Sequence, residues 1–129
     1  MYSYRLADNP VRTIGITQTG QFFVDCQSKL VTLDKRENYV ALLSLLETDK
    51  NKFEIELREK VGQEKINELK RELFKCGLMV SPYWSELVIN WIEAEDIDKE
   101  MKELLSSTIL DKRVSQGQRN KLRRLIKDW

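Results

Sequence analysis

Histidine is absent from the 129 residues, and the two cysteines, Cys26 and Cys76, stand far apart with no CxxC pair. A zinc set needs clustered thiolates or imidazoles, so no metal site is expected. Catalysis has equally little to stand on. There is no nucleophile elbow and no glycine loop to cradle phosphate. Carboxylates cluster only in one acidic stretch, residues 86–103, where charge runs are usually solvated. Cys26 and Cys76 both fall at apolar-face positions, where a thiol acts as a small buried apolar side chain. The expectation is a non-catalytic protein without cofactor or metal.

Binding is the chemistry that remains, and composition limits its partners. The chain has 22 basic and 21 acidic residues, a net charge of +1, and 41% apolar residues. That balance gives no global attraction to nucleic acid or to an anionic membrane, while the apolar content suffices for a packed core. No apolar run approaches the ~20 residues that span a bilayer. The opening Met1-Tyr2-Ser3-Tyr4-Arg5 lacks the apolar stretch of a secretory signal, and with two lone thiols a reducing cytoplasm is expected.

The elements that would position a binding surface follow from periodicity. Residues 11–17 are β-branched, Gln18-Thr19-Gly20 signals a turn, and residues 21–26 place Phe22, Val24 and Cys26 on one face. A third run, Leu30-Val31-Thr32-Leu33, completes a three-stranded antiparallel meander, with Pro10 just before its first strand. Asp34 with Glu37 has the form of a capping box, followed by Tyr39, Leu42, Leu43 and Leu46 at helical spacing. Asn51 with Glu54 starts a second helix carrying Phe53, Leu57 and Val61, which Gly62 is expected to end as a left-handed cap. A third helix, residues 63–76, turns Ile66, Leu69, Leu73 and Cys76 inward. Gly77 is expected to close it, with Leu78-Met79-Val80 extended before Pro82.

These pieces bury their apolar faces by packing the helices on the small sheet. The fold class is thus α+β and winged-helix-like: a three-stranded antiparallel meander packed on three helices, then a helical C-terminal extension. Residues 1–82 form the first domain and residues 83–129 the extension. In the latter, Trp84, Leu87, Val88 and Trp91 share a helix face and are expected to pack back on the first domain. Ser115 with Gln118 caps a basic last helix with the stripe Leu122, Leu125, Ile126 and Trp129. The acidic stretch before it offers that basic helix a neutralising partner in the same chain.

Four stretches carry a likeness to known proteins: Tyr4-Arg5-Leu6-Ala7; Phe22-Phe23-Val24-Asp25 with Leu30-Val31-Thr32-Leu33; residues 39–46; and Phe53-Glu54-Ile55 with Ile66-Asn67-Glu68-Leu69 and residues 73–78. In these the chain resembles the PqqD-like family of RiPP precursor peptide recognition elements, including its habit of ending the third helix in a Gly-Leu step. The resemblance spans residues 5–82 and says nothing of residues 83–129. It implies capture of the leader segment of a ribosomally made precursor peptide and its delivery to a peptide-modifying enzyme. The leader would add as a strand to the edge at residues 30–34, that is Leu30, Val31, Thr32, Leu33 and Asp34. The groove wall would lie on the third helix, residues 65–75, where Lys70, Arg71 and Phe74 would line it and the basic pair would meet an acidic leader.

Two other readings compete. A winged-helix nucleic-acid regulator would use the basic segment 112–127. The third helix is a poor DNA reader, because Glu64, Glu68 and Glu72 would each approach phosphate. Nucleic acid and membrane are therefore not expected as partners. The other reading is a small adaptor subunit, or a fragment of a larger modifying enzyme.

Overall fold

Four short strands form one antiparallel sheet in the order β1-β2-β3-β4: Tyr2–Arg5, Thr13–Ile16, Phe22–Asp25 and Leu30–Thr32. The computed structural model describes residues 2–5, 13–25 and 29–127. The expected meander is β2-β3-β4, and β1 extends it by one strand. Pro10, Cys26 and Trp129 lie outside the described residues. Gly20, at φ +88°, makes the β2–β3 turn and donates its amide to the Thr17 carbonyl at 3.0 Å. Only a residue without Cβ adopts that backbone cheaply. The register sets Ile14 opposite Val24 and Val24 opposite Val31, so these three share a face.

Seven helical segments follow: a 3₁₀ helix Arg36–Glu47, α1 Lys50–Arg58, α2 Gln63–Val80, α3 Pro82–Trp91, a short 3₁₀ turn Ala94–Asp96, α4 Lys99–Ile109 and α5 Gln116–Lys127. The fold is therefore α+β with a helical C-terminal extension. The first helix winds with three residues per turn, which stacks Tyr39, Leu42 and Leu45 beside Leu43 and Leu46. All five are buried. The α-helical spacing read from the sequence omits Leu45, and the tighter winding is the reason.

Local caps differ from several expectations. Lys35 precedes the first helix without a side-chain cap, so Asp34 and Glu37 form no capping box. Asp34 instead accepts from Asn38 Nδ2 at 3.0 Å. Asp49, rather than Asn51, caps α1 by accepting from the amides of Asn51 and Lys52. Gly62 is extended (φ −69°, ψ 156°) and precedes α2, so it is no left-handed cap. Pro82 occupies the first turn of α3, where its missing N–H is no loss. Asp98 caps α4, and Ser115 Oγ accepts from the Gln118 amide at 3.2 Å, as expected for α5.

Helix α2 runs through Gly77 to Val80, correcting the expected stop and the extended segment after it. The cause is tertiary. A Cβ on Gly77 would stand 2.7 Å from Val88 Cγ2, so glycine lets α3 approach α2 closely. The helix is central: the first 3₁₀ helix, α1, α3 and α4 all pack against it. One contiguous core runs from Ile14 to Leu122 and includes Val88, Ile89, Trp91, Met101 and Leu105 of the extension. Trp91 meets Phe53 and Phe74 with ring centroids 5.8 Å and 6.4 Å away. Trp84 is partly buried against the same core, so both tryptophans pack back as expected. Among the described residues no helix is long and apolar enough to cross a membrane.

Candidate functional site: an open strand edge beside the central helix

Strand β4 lies at the edge of the sheet, and its backbone phase follows from one bond. The Leu33 amide donates to the Phe22 carbonyl at 2.9 Å. In an antiparallel ladder this alternates, so Val31 turns its N–H and C=O toward β3 while Leu30 and Thr32 turn theirs outward. Asn38 Nδ2 reaches across to the Thr32 carbonyl at 3.0 Å and occupies that acceptor. The N–H and C=O of Leu30 and the N–H of Thr32 meet no partner among the described residues. An edge of this kind is a template for another strand.

The side chains of β4 sort by the same alternation. Val31 shares the core face with Val24 and is half-buried, and Leu33 is only 4% exposed and belongs to the core. Leu30 is 61% exposed, and Thr32 and Asp34 are exposed as well. The outward leucine is thus Leu30. Leu33 does not present its side chain as a free ligand contact.

On α2, the three residues expected to line the groove separate. Phe74 is fully buried beside Trp91, and Lys70 is 2% exposed, so neither reaches a ligand at the surface. The physical reason is the central place of α2, which buries positions on several sides. Lys70 Nζ instead lies 2.7 Å from Glu54 Oε1 and 3.2 Å from Asp96 Oδ1. Burial depresses its pKa, but the hydrogen bond it donates to Glu54 and the charge of Asp96 outweigh this and raise it overall. Arg71 does line a cleft, of about 390 Å³, with Gln21, Leu33, Tyr39, Lys65 and Glu72 among its other walls. Its Nε is buried and meets no hydrogen-bond partner among the described residues. Burial, with Glu72 and Glu68 nearby, pushes the Tyr39 phenol up to about 12.

A second groove, of about 420 Å³, flanks the other end of α2 between Val40, Cys76, Met79 and Val80. Val40, Met79 and Val80 are 50%, 63% and 47% exposed, and Arg36 and Glu37 of the 3₁₀ helix complete the lining. The sequence missed this groove because it placed Leu78 to Val80 in an extended segment. Cys76 is buried, and burial pushes its thiol pKa up, in keeping with an unreactive side chain. Among the described residues no cluster could hold a metal ion.

Ion pairs tie the extension to this face. Arg36 pairs with Glu72 at 3.0 Å and Glu100 at 2.7 Å, and Lys75 pairs with Asp98 at 2.9 Å and Glu100 at 3.0 Å. Asp98 and Glu100 of the acidic stretch thus pair with α2 and the 3₁₀ helix rather than with the basic helix, whose Lys121 feels the charge of Glu93. Hydrogen bonds from Arg36 and Lys75 hold Glu100 down at about 2 against an ordinary 4.5. A carboxylate depressed on folding stabilises fully above its unfolded pKa and loses that contribution as pH falls through its folded one. Stability should therefore decline between pH 4.5 and about 2, in a series of thermal melts against pH. Glu100→Gln should flatten that segment; an unchanged acid limb in the variant would contradict the assignment.

No family model, no curated protein and no solved structure matches this chain.

Proposed function

We propose that this chain is a non-catalytic peptide-binding protein of the cytoplasm. It captures the leader segment of a ribosomally made precursor peptide by strand addition and delivers it to a modifying enzyme. The observation that carries the reading is the outer edge of β4, where Leu30 and Thr32 direct backbone groups away from β3. A peptide strand laid there gains main-chain hydrogen bonds irrespective of its sequence, and flanking recesses supply selectivity. The Val40–Met79 groove suits apolar side chains, and Arg71 offers a charge-assisted donor to a carboxylate or carbonyl. The likeness in residues 5–82 to the peptide recognition elements supports the same reading.

Thr32→Pro tests it with little harm to the fold. Proline removes the outward N–H, while the carbonyl capped by Asn38 remains, and edge strands accept proline when that N–H faces solvent. Calorimetric titration with the short peptides encoded beside this chain's gene should show binding, and the variant should weaken it by at least about tenfold, the worth of one hydrogen bond or more. Absence of affinity for every such peptide would overturn the reading, as would full affinity in a folded Thr32→Pro variant.

A further inference from the structure

Charge is unevenly placed along the chain. Residues 111–129 hold seven of the 22 basic residues and two of the 21 acidic ones, a net +5, against −4 for residues 1–110. Helix α5 contains Arg119, Lys121, Arg123, Arg124 and Lys127 and no acid. Within the acidic stretch, Asp96, Asp98 and Glu100 are engaged by Lys70, Lys75 and Arg36, and Glu93, 3.4 Å from Lys50, also acts through its charge on Lys121. None of the five α5 cations makes an ion pair with a described residue.

Two of these five turn inward. Arg119 donates to the Val114 carbonyl at 3.0 Å, and Lys121 donates to the Ile89 carbonyl at 2.6 Å near the end of α3. Burial pulls the Lys121 pKa down. The other three, Arg123, Arg124 and Lys127, are exposed together with Gln116 and Asn120. Gln116, Asn120, Arg123 and Lys127 follow one another at steps of four, three and four, and Arg124 flanks the row one step from Arg123, so all five lie on one side of the helix. Gln116 and Arg123 both donate to Asn120 Oδ1, at 3.0 Å and 3.2 Å, which orders the row. Leu122, Leu125 and Ile126 face the core on the opposite side.

The make-up of this face selects among anionic partners. A protein interface is anchored by buried aromatic or apolar side chains, and α5 exposes none. A membrane-surface helix inserts its apolar face into lipid, and here that face is already packed. A phosphodiester backbone needs only cations and polar donors, without an apolar anchor. We propose that α5 presents a binding face for the nucleic-acid backbone, with Arg123, Arg124 and Lys127 as its phosphate contacts. This goes beyond peptide capture and does not depend on it.

The test is fluorescence anisotropy of the full chain with labelled single-stranded RNA, single-stranded DNA and duplex DNA, each about 20 nucleotides long, enough to overhang three contacts. Three phosphate contacts predict a slope of log affinity against log salt near −2.7 on duplex and near −2.1 on single strands, to roughly a unit. Arg123→Gln/Arg124→Gln/Lys127→Gln should lower low-salt affinity at least about tenfold and flatten the slope, with the thermal melt unchanged. Absence of binding at low salt to all three nucleic acids would overturn the proposal, as would equal binding by the triple variant. Equal competition by polyglutamate or by anionic vesicles would overturn it too, by showing a face that reads charge alone.

Discussion

Lys70→Met should destabilise the protein by about 3–5 kcal/mol, the cost of stranding buried charges when one partner is removed. Lys70 and Asp96 are 2% and 1% exposed, and Glu54 on α1 completes the cluster. Methionine fills the volume but leaves Asp96 without its cation and Glu54 with only the more distant Arg58, 3.8 Å away. Asp96 keeps only the hydrogen bond from the Glu93 amide, at 2.9 Å. Asp96→Asn should cost less, since Glu54 still holds the lysine. The double variant Lys70→Met/Asp96→Leu should recover part of the loss, because well-packed apolar replacements of buried ion pairs are often neutral. Urea unfolding measures all three. A Lys70→Met cost below about 1 kcal/mol would place the pair in the class of exposed ion pairs and contradict the buried geometry. The consequence reaches the architecture: Asp96 belongs to the extension and Lys70 to α2, so this cluster fastens residues 83–127 to the rest of the core.

Leu33→Asp should unfold the chain, or cost at least about 4 kcal/mol, by combining the loss of a buried leucine with the burial of a carboxylate. Leu33 lies in the stretch where the resemblance places the leader, and were its side chain turned to that ligand, the same substitution would weaken binding without unfolding. The structure places Leu33 in the core at 4% exposure, next to the cleft but not free of the fold. Leu30→Asp is the matched control. Leu30 is 61% exposed, so the change should shift stability by no more than about 0.5 kcal/mol. Comparable melting temperatures for the two variants would show that the strand phase is the reverse of the one described.

The contrast between Leu30 and Leu33 shows what local sequence can and cannot decide. Alternation separates Val31 and Leu33 from Leu30 and Thr32, but which pair faces the helices depends on the partner strand. Here Val24 opposite Val31 settles it. The apolar stripes of the helices were legible because burial repeats with helical spacing: Phe53, Leu57, Ile66, Leu69 and Leu73 are all buried. Gly77 misled because glycine commonly ends a helix, whereas its cause here is Val88, a residue distant in the chain from the local pattern. Lys70 and Phe74 misled for a related reason. A helix surrounded by other helices buries charged and apolar positions outside its main stripe, and no periodicity reveals which carboxylate will meet the lysine. The acidic stretch was readable as charge but not as a set of partners for Arg36, Lys70 and Lys75.

In the proposed function a peptide strand is laid along the outer edge of β4. The most direct measurement is amide hydrogen exchange, read by NMR, with and without saturating peptide from the gene's neighbourhood. The Leu30 and Thr32 amides should become protected on binding, while the Val31 amide, already turned toward β3, should change little. Protection confined to other elements, with Leu30 and Thr32 still exchanging freely, would contradict it.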